Sequence, residues 1–358
     1  MRLHQSTTEF NAGIDLHGKS MYVCVMNRKG EKLVHRKVRD NNLEYLAKLL
    51  APYRQDLTVC CESTFNWYFL ADWCGPQGIK FVLGHAAMIR AVHQAKVKND
   101  RVDSETLTNL LRNNMLPYGY ACERPWRDDR DLLRRRLGYV HQRGSLKAYL
   151  AMNVQTHGYA RLERAEKAKG QRRAALVERA DSDAISLTYT TAVDLIESYD
   201  RSIDQIEAAL GERAHQTHAE QLEILCSLPG VGPVRSLTLL YEIIDIERFP
   251  TAKAFCSFSR VVFPAATSDG KLCGYRGFKQ GNPYLKWVFN DLAVQIGNFS
   301  PVLGAWVEDL ERRHGKRAAR HRVAHRLANA VYYMLKRHER FSLERFFRGQ
   351  EGYLKSKT

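Results

Sequence analysis

The order of apolar segments in the first third of the chain is the feature that most constrains its fold. Strand-like runs alternate there with segments that carry apolar residues at helical spacing. In order, these are strands at Gly13–Leu16, Tyr22–Met26 and Lys32–Val38, a helix with Leu43, Leu46, Leu49 and Leu50, a strand at Leu57–Cys61, a helix at Phe65–Trp73, a strand at Ile79–Leu83 and a helix from about His85. Three strands joined by hairpin turns, followed by alternating helix and strand, indicate an α/β domain of the RNase H type.

A doubly wound nucleotide-binding fold is the competing assignment for this region. That fold requires a glycine-rich loop directly after the first strand, where the backbone approaches a phosphate. The chain here reads DLHGK over residues 15–19, which contains a single glycine. The RNase H type is therefore the better prediction.

Four carboxylates fall where such a fold would bring them together. Asp15 lies mid-strand among apolar residues, and Glu62 ends another apolar strand. Asp100 and Asp103 lie three apart at the start of a helix. Because a buried carboxylate is costly unless it is paired or binds a metal, we predict that the four hold two Mg²⁺ ions about 4 Å apart, an arrangement suited to phosphodiester cleavage. Alternatively, Glu62, Asp100 or Asp103 could simply cap a helix.

The formal net charge of +16 is concentrated in two blocks. Residues 123–179 hold 15 Lys and Arg against 7 Asp and Glu, and residues 248–326 hold 14 against 5. The rest of the chain is close to neutral. Concentrated positive charge beside a neutral N-terminal third predicts that the two blocks bind nucleic acid. The simpler alternative is that these basic helices are solvated surfaces.

Basic residues recur along two predicted helices within these blocks. In the first helix, Trp126, Tyr139 and Tyr149 are interleaved with them and could stack on unpaired bases. The predicted nucleic-acid-binding residues are Arg127, Arg130, Arg134, Arg135, Arg136, Arg143 and Lys147 in the first helix, and Arg320, Arg322 and Arg326 in the second. Charge alone does not distinguish RNA from DNA at either surface.

The clearest periodicity in the chain is a heptad seam of nearly four heptads. Apolar residues step alternately by four and by three, as in a coiled coil. They are Ile185, Tyr189, Ala192, Ile196, Tyr199, Ile203, Ile206 and Leu210. The seam can pack within the chain as a helical hairpin or join two subunits. Of the two, we favour a seam between subunits.

A turn of the helix-hairpin-helix type is predicted near residue 230. The run over residues 225–240 reads LCSLPGVGPVRSLTLL. Gly230 and Gly232 would let the backbone approach a phosphate, and the next helix would offer its N-terminal N–H groups to it. Such contacts hold the nucleic-acid backbone and do not read sequence. A plain helix-capping Gly-Pro turn is the alternative.

The cysteines and the hydropathy indicate a cytoplasmic protein. The eight cysteines show no spacing typical of zinc sites, which fits a reducing compartment. No apolar run reaches the length of a membrane helix, and the N-terminus has no apolar core typical of a secretion signal. We therefore expect a cytoplasmic location and no membrane partner.

Several blocks of the chain, in order, resemble a known family. The first are GIDLH at 13–17, EST at 62–64 with WY at 67–68, and KNDRVD at 98–103. The later ones are LPGVGPVRSLTLLYEI at 228–243, SDG at 268–270, and KQGN at 279–282 with LK at 285–286. Together they resemble the DEDD transposases of the insertion-sequence-110 family over about residues 12–335.

This resemblance implies a RuvC-like catalytic domain, a helical connector and a C-terminal domain that bears a nucleophilic serine. It implies that DNA is recombined at a site shared by the carboxylates and the serine. It further implies a structured guide RNA, assembly into dimers and tetramers, and a bacterial cytoplasm as the location.

Ser268 is the position that matches the family's serine. Its attack on phosphate would leave a 5′-phosphoserine link that conserves bond energy for rejoining. The surrounding residues predicted to contact nucleic acid are Lys271, Arg276, Lys279 and Asn282. Ser257 and Ser259 are the nearest competitors, and Ser-Asp-Gly is also a common structural turn.

We predict four parts: an RNase H-like (RuvC-like) DEDD catalytic domain at 1–122, a basic helical coiled-coil connector at 123–215, a mainly α C-terminal domain at 216–340 with the helix-hairpin-helix and the serine loop, and a tail at 341–358.

The predicted function is Mg²⁺-dependent DNA recombination by the transposase of a mobile element. The runner-up is a structure-specific endonuclease of the junction-resolving kind, which uses the same carboxylates without the serine. A third hypothesis is an inactive nucleic-acid-binding protein.

Overall fold

The structure, a computed structural model, describes residues 3–92, 99–168, 170–262, 265–268, 271–275 and 280–348. The chain divides into two units, Met1–Arg124 and Pro125–Thr358. The first contains a five-stranded sheet, and the second is mainly helical. None of the helices in the described residues is long and apolar enough to cross a membrane.

A mixed sheet with helices on both faces forms the first unit. Its elements are β1 (Phe10–Leu16), β2 (Ser20–Asn27), β3 (Lys32–Arg39), α1 (Leu43–Leu50), β4 (Leu57–Glu62), α2 (Tyr68–Cys74), β5 (Lys80–Gly84), α3 (Ala86–Val92) and α4 (Asp100–Arg112). The strand order is β3-β2-β1-β4-β5. β1 and β3 run antiparallel to β2, whereas β4 runs parallel to both β1 and β5. This sheet fits the predicted RNase H-like fold.

The side chains of β1 alternate between the two faces of the sheet. Ala12 and Ile14 are buried in the cluster that also contains Leu46 of α1 and Leu70 of α2. Because successive strand residues point to opposite faces, Asp15 lies on the other face. That is the face on which α4 packs.

Helix α4 approaches β1 closely at Gly13. A Cβ atom at Gly13 would lie 2.5 Å from both the Ser104 carbonyl oxygen and the Thr108 nitrogen, so glycine is required there. The backbone N–H of Gly13 donates to the Thr108 hydroxyl at 2.9 Å. This contact fixes the position of α4 relative to the end of β1.

Helices form most of the second unit. Its elements are α5 (Arg124–Thr156), α6 (Arg172–Arg179), α7 (Asp183–Thr217), α8 (Ala219–Cys226), α9 (Pro233–Ile243), α10 (Ala252–Phe258), β6 (Ala265–Ser268), β7 (Lys271–Tyr275), α11 (Pro283–Gln295), α12 (Pro301–His314), α13 (Lys316–Arg337) and α14 (Leu343–Phe346). β6 and β7 form an antiparallel hairpin that the sequence analysis did not predict. We call these two strands the serine hairpin.

The long helices α5 and α7 pack antiparallel along their lengths. Leu150 of α5 lies in one cluster with Tyr189 and Ile196 of α7, and the rings of Tyr139 and Tyr199 are 5.6 Å apart. The predicted heptad seam is therefore filled by α5 of the same chain. This corrects our preference for a seam between subunits: the helical-hairpin alternative is the one observed.

The described part of the predicted tail docks on the second unit. Phe346 and Phe347 are buried, and their rings lie 5.3 and 5.7 Å from that of Trp306. The guanidinium of Arg326 donates to the Phe346 carbonyl. The segment after α13 is thus part of the hydrophobic core of this unit.

Candidate active site

Asp15 and Glu62 lie at the ends of two neighbouring parallel strands. β1 and β4 pair in a register that places Ile14 opposite Cys61. Asp15 and Glu62 follow that pair on the same face of the sheet, because side chains alternate along both strands. Both are half-buried. The sheet therefore brings together the first two predicted carboxylates.

The start of α4 supplies the other two carboxylates. The Asn99 side chain caps the helix, since its Oδ1 accepts from the Arg101 N–H at 3.0 Å. The two aspartates, Asp100 and Asp103, occupy the first turn. Asp103 is close enough to raise the pKa of both Asp15 and Glu62 by charge repulsion. All four predicted carboxylates thus belong to one cluster.

His17 is the site residue that the sequence analysis missed. Its Nε2 lies 3.0 Å from Asp15 Oδ2 and 3.3 Å from Asp100 Oδ1. The side-chain amides of Asn41 and Asn66 both donate to the His17 carbonyl at 3.0 Å, which holds the turn after β1 in place. The available signal was its position two residues after Asp15 and directly after the end of β1.

Burial and crowding disfavour the charged forms of Asp15 and Glu62. Burial raises the pKa of Asp15; His17 opposes this shift, and the two aspartates of α4 add to it. Burial and the charge of Asp15 raise the pKa of Glu62, against the opposing charge of Arg90. The electrostatic cost of the cluster is one that a bound cation would relieve.

The donor set fits a divalent cation. Asp15, His17 and Asp100 offer ligand atoms that all lie within 4.8 Å of one another. Carboxylate oxygens are the ligands that Mg²⁺ and Mn²⁺ prefer, and an imidazole nitrogen is tolerated better by transition metals.

Ser268 is the last residue of β6, and its backbone pairs with Lys271 of β7. The side chains of Ser268 and Lys271, and the whole of Arg276 and Lys279, lie outside the described residues. Of the two competing serines, Ser259 is fully buried, which prevents it from reaching a DNA phosphate, whereas Ser257 is exposed.

Most of the predicted basic residues of α5 are engaged within the chain. Arg127 is buried. Three ion pairs join this helix to α7 and α9: Arg134 with Glu242 at 2.7 Å, Arg136 with Glu207 at 2.6 Å, and Arg143 with Asp200. Arg130 is mostly buried beside Asp131, and burial lowers the pKa of Lys147. Arg135 is the exposed member of this set.

The later basic helix is more open. Arg320 and Arg322 are exposed on α13, whereas Arg326 is held by the Phe346 carbonyl. Neither Arg320 nor Arg322 forms an ion pair with the residues that the structure describes.

The turn between α8 and α9 contains both predicted glycines. Gly230 has a φ of +84°, and Gly232 directly precedes α9. Arg235 donates to the Gly230 carbonyl at 2.5 Å and pairs with Asp291 at 2.5 Å, which ties the turn to α11. Asn282 is buried and caps α11, so its side chain is occupied within the protein.

Models of two known protein families match the chain. The family model of DEDD transposases of the IS110 type, described as a transposase, matches residues 12–157, which include the four carboxylates. A second family model, described as Transposase IS116/IS110/IS902 family, matches residues 222–307, which include Ser268. No curated protein shows a significant match. The two matches show that the chain belongs to the IS110 family of transposases and is an enzyme that acts on DNA as a transposase or recombinase.

Proposed function

We propose that this transposase cuts and rejoins DNA strands with Mg²⁺ at Asp15, Glu62, Asp100 and Asp103, and that Ser268 is its nucleophile. The observation that carries the proposal is the convergence of the four carboxylates at the ends of β1 and β4 and the start of α4. The match to a DEDD family over the same residues supports it.

The carboxylates would hold the cation, with His17 beside Asp15 and Asp100. Bound there, a divalent cation supplies positive charge that stabilises the developing negative charge on the phosphate and the leaving oxygen. The Asn41 and Asn66 amides hold the turn that carries His17. Gly13 and Thr108 fix the start of α4, so the aspartates are placed before DNA arrives.

Ser268 would form the covalent intermediate. Its Oγ bonds to the scissile phosphorus as the bond from phosphorus to the 3′-oxygen breaks. The serine hydroxyl proton is lost to a base, and the departing 3′-oxygen gains a proton. The product is a 5′-phosphoserine, and a 3′-hydroxyl of another strand reverses the step to rejoin DNA.

The partners that we propose are the element-end and target DNA, a structured guide RNA and further copies of this chain, in a bacterial cytoplasm. Among the predicted nucleic-acid-binding residues whose side chains the structure describes, Arg135, Arg320 and Arg322 are exposed, which supports nucleic-acid binding by the second unit. The proposed domains remain residues 1–122, 123–215 and 216–340, with a tail at 341–358.

The test is formation of a covalent protein–DNA adduct. Purified protein, element-end DNA and its transcribed flanking RNA are incubated with Mg²⁺ and separated on a denaturing gel. The adduct should form with the wild-type protein and be lost in both Asp15→Ala and Ser268→Ala. Adduct formation by Ser268→Ala would contradict the role of this serine, and adduct formation by Asp15→Ala would contradict that of the carboxylates.

A junction-resolving endonuclease is the second candidate, because the carboxylate cluster is complete within the first unit. It would release free cleaved ends without an adduct. Those ends would disappear in Asp15→Ala and persist in Ser268→Ala.

A further inference from the structure

Glu242 is a buried carboxylate of α9 that is 2% exposed. Arg134 of α5 donates to both of its oxygens, from Nε to Oε1 at 2.7 Å and from the terminal nitrogen to Oε2 at 2.8 Å. Asn282 donates from Nδ2 to Oε2 at 2.6 Å. A bidentate, charge-assisted pair of this kind fixes geometry strongly. Glu242 therefore joins α5 to the residue that begins α11.

Both polar atoms of the Asn282 side chain form hydrogen bonds. Its Oδ1 accepts from the backbone N–H groups of Tyr284 at 2.9 Å and Leu285 at 3.0 Å, which caps α11. Its own backbone N–H donates to the carbonyl of Phe258, the last residue of α10, at 2.6 Å. The orientation of this side chain is thus set by Glu242 and by α11 together.

Gly281 brings the two chain segments into close contact. Its φ is +104°, and a Cβ atom there would lie 2.5 Å from the Phe258 carbonyl oxygen. Residue 258 precedes the serine hairpin and residues 281–282 follow it. The contact between them therefore joins the two chain segments that flank the serine hairpin in sequence, and we call it the base of the serine hairpin.

We propose that Glu242, held by Arg134, is a positioning residue for Ser268, because through Asn282 it fixes the base of the serine hairpin. The proposal rests on the proposed role of Ser268. A nucleophile must be held close to the phosphorus and in line with the leaving oxygen, so a small displacement of its support slows the reaction. A buried ion pair adds little stability over apolar residues of similar volume. The contribution of the Glu242–Arg134 pair is to fix the position of the groups that it joins.

The experiment compares four variants of the full chain. Glu242→Gln removes the charge that Arg134 holds. Asn282→Ser is milder, because serine still caps α11 but loses the bond to Glu242. The double variant Glu242→Gln/Asn282→Asp exchanges the carboxylate and the amide and restores a hydrogen bond between them. Asp291→Asn is the matched control, since it breaks a different ion pair between α9 and α11.

Two quantities are measured: backbone hydrogen exchange over residues 265–275 in the free protein, and adduct formation with element-end DNA. Glu242→Gln and Asn282→Ser should both speed this exchange, and the adduct rate should fall by about 10- to 100-fold. The dissociation constant for DNA should stay within about twofold, because the side chains of Glu242 and Asn282 are buried within the protein. The exchanged pair should recover both quantities in part, because it restores the hydrogen bond between residues 242 and 282 but not the bidentate pair with Arg134. Asp291→Asn should change neither.

The proposal is overturned if exchange over residues 265–275 is unchanged in both Glu242→Gln and Asn282→Ser. It is also overturned if Asp291→Asn slows adduct formation equally, or if the exchanged pair recovers nothing. If the wild-type protein forms no adduct through Ser268, the proposed function fails and the positioning role falls with it. The exchange data then still decide whether Glu242 holds the hairpin.

Discussion

The carboxylates of the first unit come from distant positions in the chain, whereas the arginines of α5 are close together in sequence. Both are groups of like charge, yet the structure uses them in opposite ways. Asp15 and Glu62 lie against other carboxylates, and burial and repulsion raise their pKa values. Arg134 and Arg136 face carboxylates of their own chain at 2.7 and 2.6 Å. The carboxylates repel one another, so a bound cation would stabilise them. The arginines of α5 are neutralised by carboxylates of the same chain and hold helices together.

The largest expected effect comes from neutralising one carboxylate of the repelling cluster. Asp15→Asn keeps the side-chain shape but removes a charged ligand, so Mg²⁺-dependent DNA cleavage should fall by at least about a thousandfold. DNA binding, measured by fluorescence anisotropy, should be unchanged or slightly tighter because a negative charge is lost. Cleavage within tenfold of wild type would remove Asp15 from the metal site.

Next in size is a change that separates α4 from the sheet. Gly13→Ala places a methyl group 2.5 Å from α4 backbone atoms, and should lower the free energy of unfolding by about 3 kcal/mol. Urea denaturation measures this. Gly138→Ala in α5 is the control, since nothing lies within 4 Å of its added Cβ; it should be neutral or stabilise by up to about 1 kcal/mol. Equal effects of the two changes would show that the close contact at Gly13 is not there.

Two neighbouring arginines of α5, one paired and one exposed, test the role of the basic cluster. Arg136→Ala breaks the pair with Glu207 and should lower the free energy of unfolding by about 1–2 kcal/mol. The exposed Arg135→Ala should leave stability within about 0.5 kcal/mol. If Arg135 contacts a phosphate, this change should reduce the slope of log K against log salt for DNA or RNA by about 1. A loss of stability in Arg135→Ala, with none in Arg136→Ala, would mean that α5 is oriented differently.

The smallest effect is the pH dependence of stability without metal. The raised pKa values mean that folded Asp15 and Glu62 bind protons more readily than the unfolded chain does. The free energy of unfolding of the wild-type protein should therefore fall as pH rises from 3.8 and 4.5, the ordinary pKa values of Asp15 and Glu62, to their raised pKa values in the folded protein. Above those raised pKa values the loss of stability is complete. At pH 7.5 in EDTA, Asp15→Asn should melt higher than wild type by about 2 °C, with little difference below pH 3.8.

Addition of Mg²⁺ should then raise the melting temperature of the wild-type protein more than that of Asp15→Asn. An equal shift in both proteins would show that the cation acts elsewhere.

Local patterns were enough to predict the α/β character of the first unit and to single out Asp15 and Glu62 as candidates. The parallel register of β1 and β4, which places both on one face of the sheet, is a property of the fold. Local patterns could not show that His17 bridges Asp15 and Asp100, since this depends on the path of the turn after β1, held by two asparagine amides.

In the second unit, tertiary contacts decide what local pattern leaves open. The heptad seam of α7 is compatible with any partner helix, and only the fold shows that α5 fills it. Arg134 and Asn282 belong to a basic helix and a polar motif, which favoured nucleic-acid contacts. Their common partner, Glu242, lies 40 residues from Asn282 and 108 from Arg134, beyond the reach of any local pattern.

The central claim is that the carboxylate cluster is a cation site that cuts DNA. Glu62 tests it most directly, because its side-chain carboxylate forms no hydrogen bond or ion pair with the residues that the structure describes. Element-end DNA and its flanking RNA are incubated with wild type and Glu62→Gln across a Mg²⁺ titration, and strand cleavage is followed on a denaturing gel. The account predicts Mg²⁺-dependent cleavage by wild type and its loss in Glu62→Gln, with DNA binding retained. Cleavage by Glu62→Gln at the wild-type rate and the same Mg²⁺ midpoint would contradict it.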